Sequence, residues 1–172
     1  MLIISLLLGK FSYGQKVSDY IYRIKSVPLK YISGTNADVK DINFKSILKL
    51  DSDAVPDLIK LITDTTITPV YNQLEGRYFK IGDVAFCLLE EINGRTTFWS
   101  MITGGQFCLI GPDYTSIGAW GYINSNRENF SKQYAAFYHS REGKMYRAIL
   151  KGKYKKTKIP KALDEIIKYK YN

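Results

Sequence analysis

Histidine occurs once in the 172-residue chain and cysteine twice. A lone His139 removes the metal sites built from several imidazoles and leaves a single base for any Ser–His or Cys–His pair. Neither Cys87 nor Cys108 sits in a local catalytic signature, and Cys87 falls inside an apolar, helically spaced stretch. The chain has no phosphate-cradling glycine loop, dinucleotide fingerprint or nucleophile elbow, and Asp51-Ser52-Asp53 lacks the later ligands and the glycine of an EF-hand. It also has no apolar run long enough to cross a bilayer as a helix. These gaps disfavour an enzyme and lead us to expect no metal and no cofactor.

What is present is the size and balance of one ordinary domain. Hydrophobic residues make up 45% and charged residues 24%, a composition able to bury a core without a metal or disulfide staple. Fourteen Tyr, eight Phe and two Trp are the anomaly, since amphipathic rings serve a core or a contact surface equally well. The opening Leu2-Ile3-Ile4-Ser5-Leu6-Leu7-Leu8-Gly9 is apolar but short, and Ser12 and Gly14 fit the small positions of a cleavage site before Gln15. Residues 1–14 therefore read as a signal peptide, residues 15–172 as one exported domain, periplasmic or secreted. Lys10 interrupts the run and no basic residue precedes it, which leaves open whether Met1 is the true start. Export would permit a Cys87–Cys108 bridge, worth about 3 kcal/mol by chain entropy, and would equally permit two buried thiols.

Charge is concentrated at one end. From Arg141 to Asn172, eleven Lys and Arg face three acids, giving +8 of the chain's formal +9. Lys151, Lys153, Lys155, Lys156, Lys158 and Lys161 are too dense for a packed core and must face solvent, as a solubility device or as a footprint for an anionic envelope surface. Export argues against nucleic acid as the partner.

Helical spacing dominates the rest. Ser18 or Asp19 is placed to cap a first helix in which Ile21 and Ile24 share a face before Pro28. Ser52-Asp53 precedes Val55, Leu58, Ile59 and Ile62, with Pro56 in the first turn; Ile81, Val84, Ala85, Leu88 and Ile92 line a second helix that stops at Asn93-Gly94. Ser125 and Glu128 form a capping box ahead of Phe130, Tyr134, Phe137 and Tyr138, four rings on one face destined for the core. Gly143 weakens that helix, and Pro160 opens a last one, so 141–172 is expected to be basic and helical. Residues 63–80, holding Pro69 and Gly76, read as a loop; residues 93–123, rich in Gly and aromatics, read as turns and short extended pieces. The expected fold is mainly α: one compact helical domain with a long irregular segment.

The stretches Val55–Asp64 and Gly82–Gly94 resemble the outer and inner helices of a HEAT-type repeat, the first ending in Asp and the second carrying Ala85 with Leu88, Leu89 and Ile92. The likeness spans residues 55–94, occurs once, and departs from the family in the insertion between Asp64 and Ile81. It implies a helical hairpin and, by analogy, a protein-binding role. The expected function is a non-catalytic protein-binding module of inhibitor or immunity type whose partner is another exported protein. Trp99, Trp120 and Tyr122 are candidate contact rings, with burial under a loop as their other fate. The alternative is a small envelope hydrolase, which requires Asp83, Glu90 or Glu91 to converge with His139.

Overall fold

The computed structural model describes residues 17–28, 39–93 and 115–150, and these are mainly helical. A helical segment over residues 17–21 (α1) is followed by α2 (Ile42–Leu48), a 3-10 turn (Asp51–Ala54), α3 (Val55–Leu61), β1 (Ile67–Asn72), β2 (Arg77–Lys80), α4 (Ile81–Asn93), α5 (Thr115–His139) and α6 (Arg141–Leu150). Ser18 and Asp19 lie within α1 rather than capping it, while Ile21 and Ile24 are both buried as their spacing requires.

Asp41 explains how α1 and α2 are joined. Its Oδ1 accepts the backbone N–H of Asn43 and Phe44 at 2.8 and 3.1 Å, capping α2; its Oδ2 accepts those of Lys25 and Ser26 at 2.8 and 3.3 Å. Phe44 and Ile47 then turn into the core. Asp51 makes the next corner with a φ of 49°, a conformation that short polar side chains adopt more readily than most. In α3, Val55, Leu58 and Ile59 are buried with the following Ile62, and Pro56 occupies the first turn, where no backbone donor is missed.

Residues 63–80 correct the loop expectation. They form an antiparallel hairpin pairing Ile67 with Lys80, Tyr71 with Tyr78 and Asn72 with Arg77. Pro69 sits where the register is already irregular, between Ile67 and Tyr71, so its missing N–H does not interrupt a regular ladder. Asn72 Oδ1 accepts the Leu74 amide at 2.9 Å, and Gly76 takes the left-handed φ of 63° that closes the turn. Thr68, Val70 and Asn72 face the core while Ile67, Pro69 and Tyr71 face out.

Helix α4 is buried continuously from Ile81 to Glu90 and touches α2, α3 and β2; a helix buried on all sides is the centre of its domain. Helix α5 supplies the remaining wall with Phe130, Tyr134 and Tyr138 buried and Phe137 packed at the core's edge. The rings of Phe86, Phe130 and Tyr134 meet edge to face at 5.7 and 5.8 Å, which fulfils the core expectation for this stripe. Helical turns also extend back from the capping box to Thr115, replacing the irregular structure expected for 115–123. The box stands at a kink where two helices join: Asn126 is non-helical (φ −140°, ψ 30°), and its side-chain amide donates at 3.2 Å to the Tyr122 carbonyl that its backbone N–H would use in an unbroken helix.

The chain breaks again at Ser140. Its Oγ accepts the Gly143 amide at 2.9 Å and donates to the Phe137 carbonyl at 2.7 Å, so the end of α5 and the start of α6 share one hydroxyl. A Cβ on Gly143 would collide with the Phe137 carbonyl oxygen, which is why a residue that reads as a helix weakener stands in this turn. Arg147 closes the pair of helices, its guanidinium 3.7 Å from the centre of the Tyr138 ring and its Nη1 donating to the Tyr138 carbonyl at 2.7 Å.

Candidate functional site

Two features of the hairpin stand out, one on each of its faces. The outer face carries Ile67, Tyr71 and Tyr78 at 71%, 47% and 54% exposure. Tyr71 and Tyr78 are cross-strand partners whose rings meet at 5.2 Å and 69°, so the strand register fixes the pair as a rigid apolar step. Tyr22 adds a further exposed ring beside the base of the hairpin, where its hydroxyl donates to Asp64 Oδ2 at 2.7 Å. That bond, followed by burial and the Asp64 charge, raises the Tyr22 pKa. Burial works to raise the Asp64 pKa, but the Thr66 amide, the Tyr22 hydroxyl, the Thr66 side chain and the Arg127 charge together hold it below the usual carboxylate range.

The inner side holds a buried carboxylate. Asp83, in the first turn of α4, accepts the Lys80 amide at 2.9 Å and Arg77 Nη1 at 2.7 Å on Oδ2, and Arg127 Nη2 at 2.5 Å on Oδ1. Arg127 also donates to the Ile62 carbonyl at the end of α3 (3.0 Å) and to Asn124 Oδ1 (2.6 Å). Gly82 makes room for this reach, because a Cβ there would overlap the Ile62 carbonyl and crowd Arg127 Nη1. Arg77 is shared, with Nε on Glu75 Oε2 at 2.6 Å. Burial lowers the Arg77 pKa, yet its bonds to Asp83 and Glu75 and their charges outweigh this and raise it.

The hairpin edge is closed by the same residues. Arg77 Nη1 takes the Tyr78 carbonyl at 3.2 Å and Asp83 takes the Lys80 amide, so two backbone groups of β2 that could recruit another strand are occupied. The outer face is therefore available through its side chains more than through strand addition.

The residues singled out from sequence scatter. Tyr122, on α5, is half-buried; its ring meets Phe130 at 6.2 Å and its hydroxyl bonds Gln133 Oε1 at 3.1 Å, placing it at the rim of the core. Trp120 belongs to α5, whereas Trp99, Cys108 and the lysines from Lys151 to Lys161 lie outside the described residues. Cys87 is buried on α4, and the proposed bridge likewise falls outside what is described. Of the acids weighed with His139, Asp83 stands apart from it. Asp83 meets α5 at Arg127, and the helical rise puts His139 about 18 Å further along that helix, exposed and edge-on to Tyr138. Glu90 is buried and Glu91 half-buried on α4.

Among the described residues no group of His, Cys, Asp and Glu is placed to hold a metal ion, and no helix is long and apolar enough to cross a membrane. Compared with known protein families, characterised proteins and solved structures, the chain finds no match.

Proposed function

We propose that this chain acts by binding another protein, as an exported module of inhibitor or immunity type, and that the outer face of the hairpin is its contact surface. The observation carrying this reading is the solvent-exposed Tyr71–Tyr78 pair with Ile67 beside it. Aromatic rings already fixed by a strand register lose little freedom on binding, which makes them effective anchors. Rings at 69° offer one face and one edge, which suits an uneven protein surface better than a flat sugar. Two half-exposed rings and an isoleucine supply on the order of 300 Å², against about 800 Å² per side in a standard stable interface. The patch is thus an anchor within a wider or transient contact, and too small to sustain a dimer alone.

The packed α3–α4 pair adds support by analogy, through its resemblance to a HEAT-type repeat. The export component rests on the apolar amino-terminal run, and the lysines from Lys151 to Lys161 would add salt-sensitive attraction to an anionic envelope surface.

Retention of partners from periplasmic extract, compared between the wild type and Tyr71→Ala/Tyr78→Ala, tests the reading. The wild type should recover a partner that the double variant loses at least tenfold. Equal recovery by both would remove the hairpin as the contact surface, and no partner for the wild type at any salt concentration would remove protein binding altogether.

A further inference from the structure

The ion cluster beneath the hairpin has an asymmetry in how its two arginines are held. Arg127 is 8% exposed and bound at once to Asp83 on α4, the Ile62 carbonyl on α3 and Asn124 on its own helix. The Arg77 side chain is 27% exposed and rides on β2; each arginine leaves one buried nitrogen without an acceptor among the described residues, Nη2 of Arg77 and Nε of Arg127. Asp83 is fully buried and needs a cation, but one suffices. Arg77 needs an acid, and Glu75 lies two residues away in the same hairpin. If the hairpin moved off the helices, Arg127 would stay with Asp83 and Arg77 would leave with Glu75. Neither half would carry an uncompensated buried charge.

The helices do not depend on the hairpin for their own docking. Helices α3 and α4 pack directly on each other, and α5 is tied to α3 by the Arg127 bond to Ile62 and by Ser131 Oγ donating to the Ile59 carbonyl at 2.8 Å. The hairpin base is pinned by two backbone bonds, Ile81 N to the Thr66 carbonyl at 2.8 Å and Gly82 N to the Asp64 carbonyl at 2.9 Å. Beyond that base the hairpin holds on through the bonds of Arg77 and the Lys80 amide to Asp83 and the burial of Thr68, Val70, Asn72 and Phe79.

We infer that the hairpin is a flap clipped to the helical frame by Arg77 on Asp83, which opens about its base as a unit while Arg127 stays paired with Asp83 and α3, α4 and α5 stay docked. Burial of Val70 and Phe79 keeps the closed form the ground state. The inference concerns the isolated chain and stands whether or not the outer face binds a partner.

Native-state hydrogen exchange on the full chain tests it, because sub-global opening separates regions that global unfolding joins. Hairpin amides from residue 67 to residue 80 should exchange at least tenfold faster than those at the centre of α4. Arg77→Met should speed hairpin exchange a further tenfold or more and leave α4 and the 127–139 part of α5 unchanged. The flap is overturned if hairpin and α4 amides exchange through one common opening in the wild type, or if Arg77→Met speeds both equally or neither. A charge-removal readout guards against a purely steric effect. Asp83→Asn should destabilise the wild type yet stabilise the Arg77→Met/Arg127→Met background, where the acid has lost both cations; destabilisation in both backgrounds would refute the sharing of Asp83. Should the double variant not fold, the Arg77→Met exchange pattern decides the question by itself.

Discussion

Helix α4 and the hairpin that precedes it are neighbours in sequence but opposite in how they use their residues. Every position of α4 from Ile81 to Glu90 is buried, including Asp83, so each side chain there answers to several neighbours at once. The hairpin alternates, with Thr68, Val70, Asn72 and Phe79 turned inward and Ile67, Tyr71 and Tyr78 left to water. Stability is invested in the helix, and the two-faced strands leave large apolar groups free for contact.

The sharpest way to break the comparison is at the carboxylate joining the two. Asp83→Ala leaves Arg127 buried with only the Ile62 carbonyl and Asn124 for partners and no carboxylate bonded to it, and should cost about 3–5 kcal/mol in urea denaturation. Phe79→Ala, on the inward face of β2, should fall in the same range of about 3–5 kcal/mol. A loss below about 1 kcal/mol for Asp83→Ala would show that charge does not join helix and hairpin.

Gly82 sharpens the same point sterically. A methyl group there meets a backbone carbonyl that is itself fixed at the end of α3, so Arg127 and the α3–α4 contact must both give way. Gly82→Ala should destabilise by about 1–3 kcal/mol, although Ala is ordinarily the better helix former. Stabilisation would mean that the approach of α3 to α4 is looser than described.

How far this division was legible follows from the range of the signals. The buried stripes of α3, α4 and the second half of α5 are set by apolar spacing, a local property, and Val55, Leu58, Ile62, Val84, Leu88, Phe130 and Tyr134 are all buried as that spacing requires. The Ser125–Glu128 box marked a real discontinuity, displaced by one residue to Asn126. Helix α2 offers too little periodicity in seven residues, and its one strong signal is the Asp41 cap. Pro69 argued against a strand because its position at a register irregularity is a tertiary fact. Arg127 carried no signal at all: its acid lies 44 residues away, and an arginine next to a capping glutamate reads as solvated surface. The exposed tyrosines were missed for the same reason, since composition counts rings without saying which way they turn.

A smaller effect lies where the hairpin base meets α1. Asp64 has a folded-state pKa below its ordinary value, so the unfolded chain binds more protons through the acid range. Its contribution is therefore complete at neutral pH and is lost as pH falls through the folded-state value. Tyr22 has the opposite dependence: its raised pKa means that its share persists to high pH and disappears as the hydroxyl ionises. Tyr22→Phe should cost about 0.5–1 kcal/mol at pH 7 and make the acid-induced loss of stability shallower. An unchanged acid limb would detach Asp64 from Tyr22.

The smallest expected effect on folding is on the outer face itself, and it carries the comparison furthest. Tyr71 and Tyr78 touch each other across the strands and otherwise face solvent, so replacing both by alanine removes one cross-strand aromatic contact and little buried area. Such a contact is worth about 0.2–1 kcal/mol, far less than the inward Phe79 one residue away. The double variant should keep its helical signal and unfold within that margin of the wild type, while partner retention falls at least tenfold. A loss as large as that of Phe79→Ala would mean that the two rings belong to the core and that the hairpin has no free face. Retained folding with lost binding is the combination that separates a contact surface from a structural one, because each ring is held by its strand and owes almost nothing to the helices beneath.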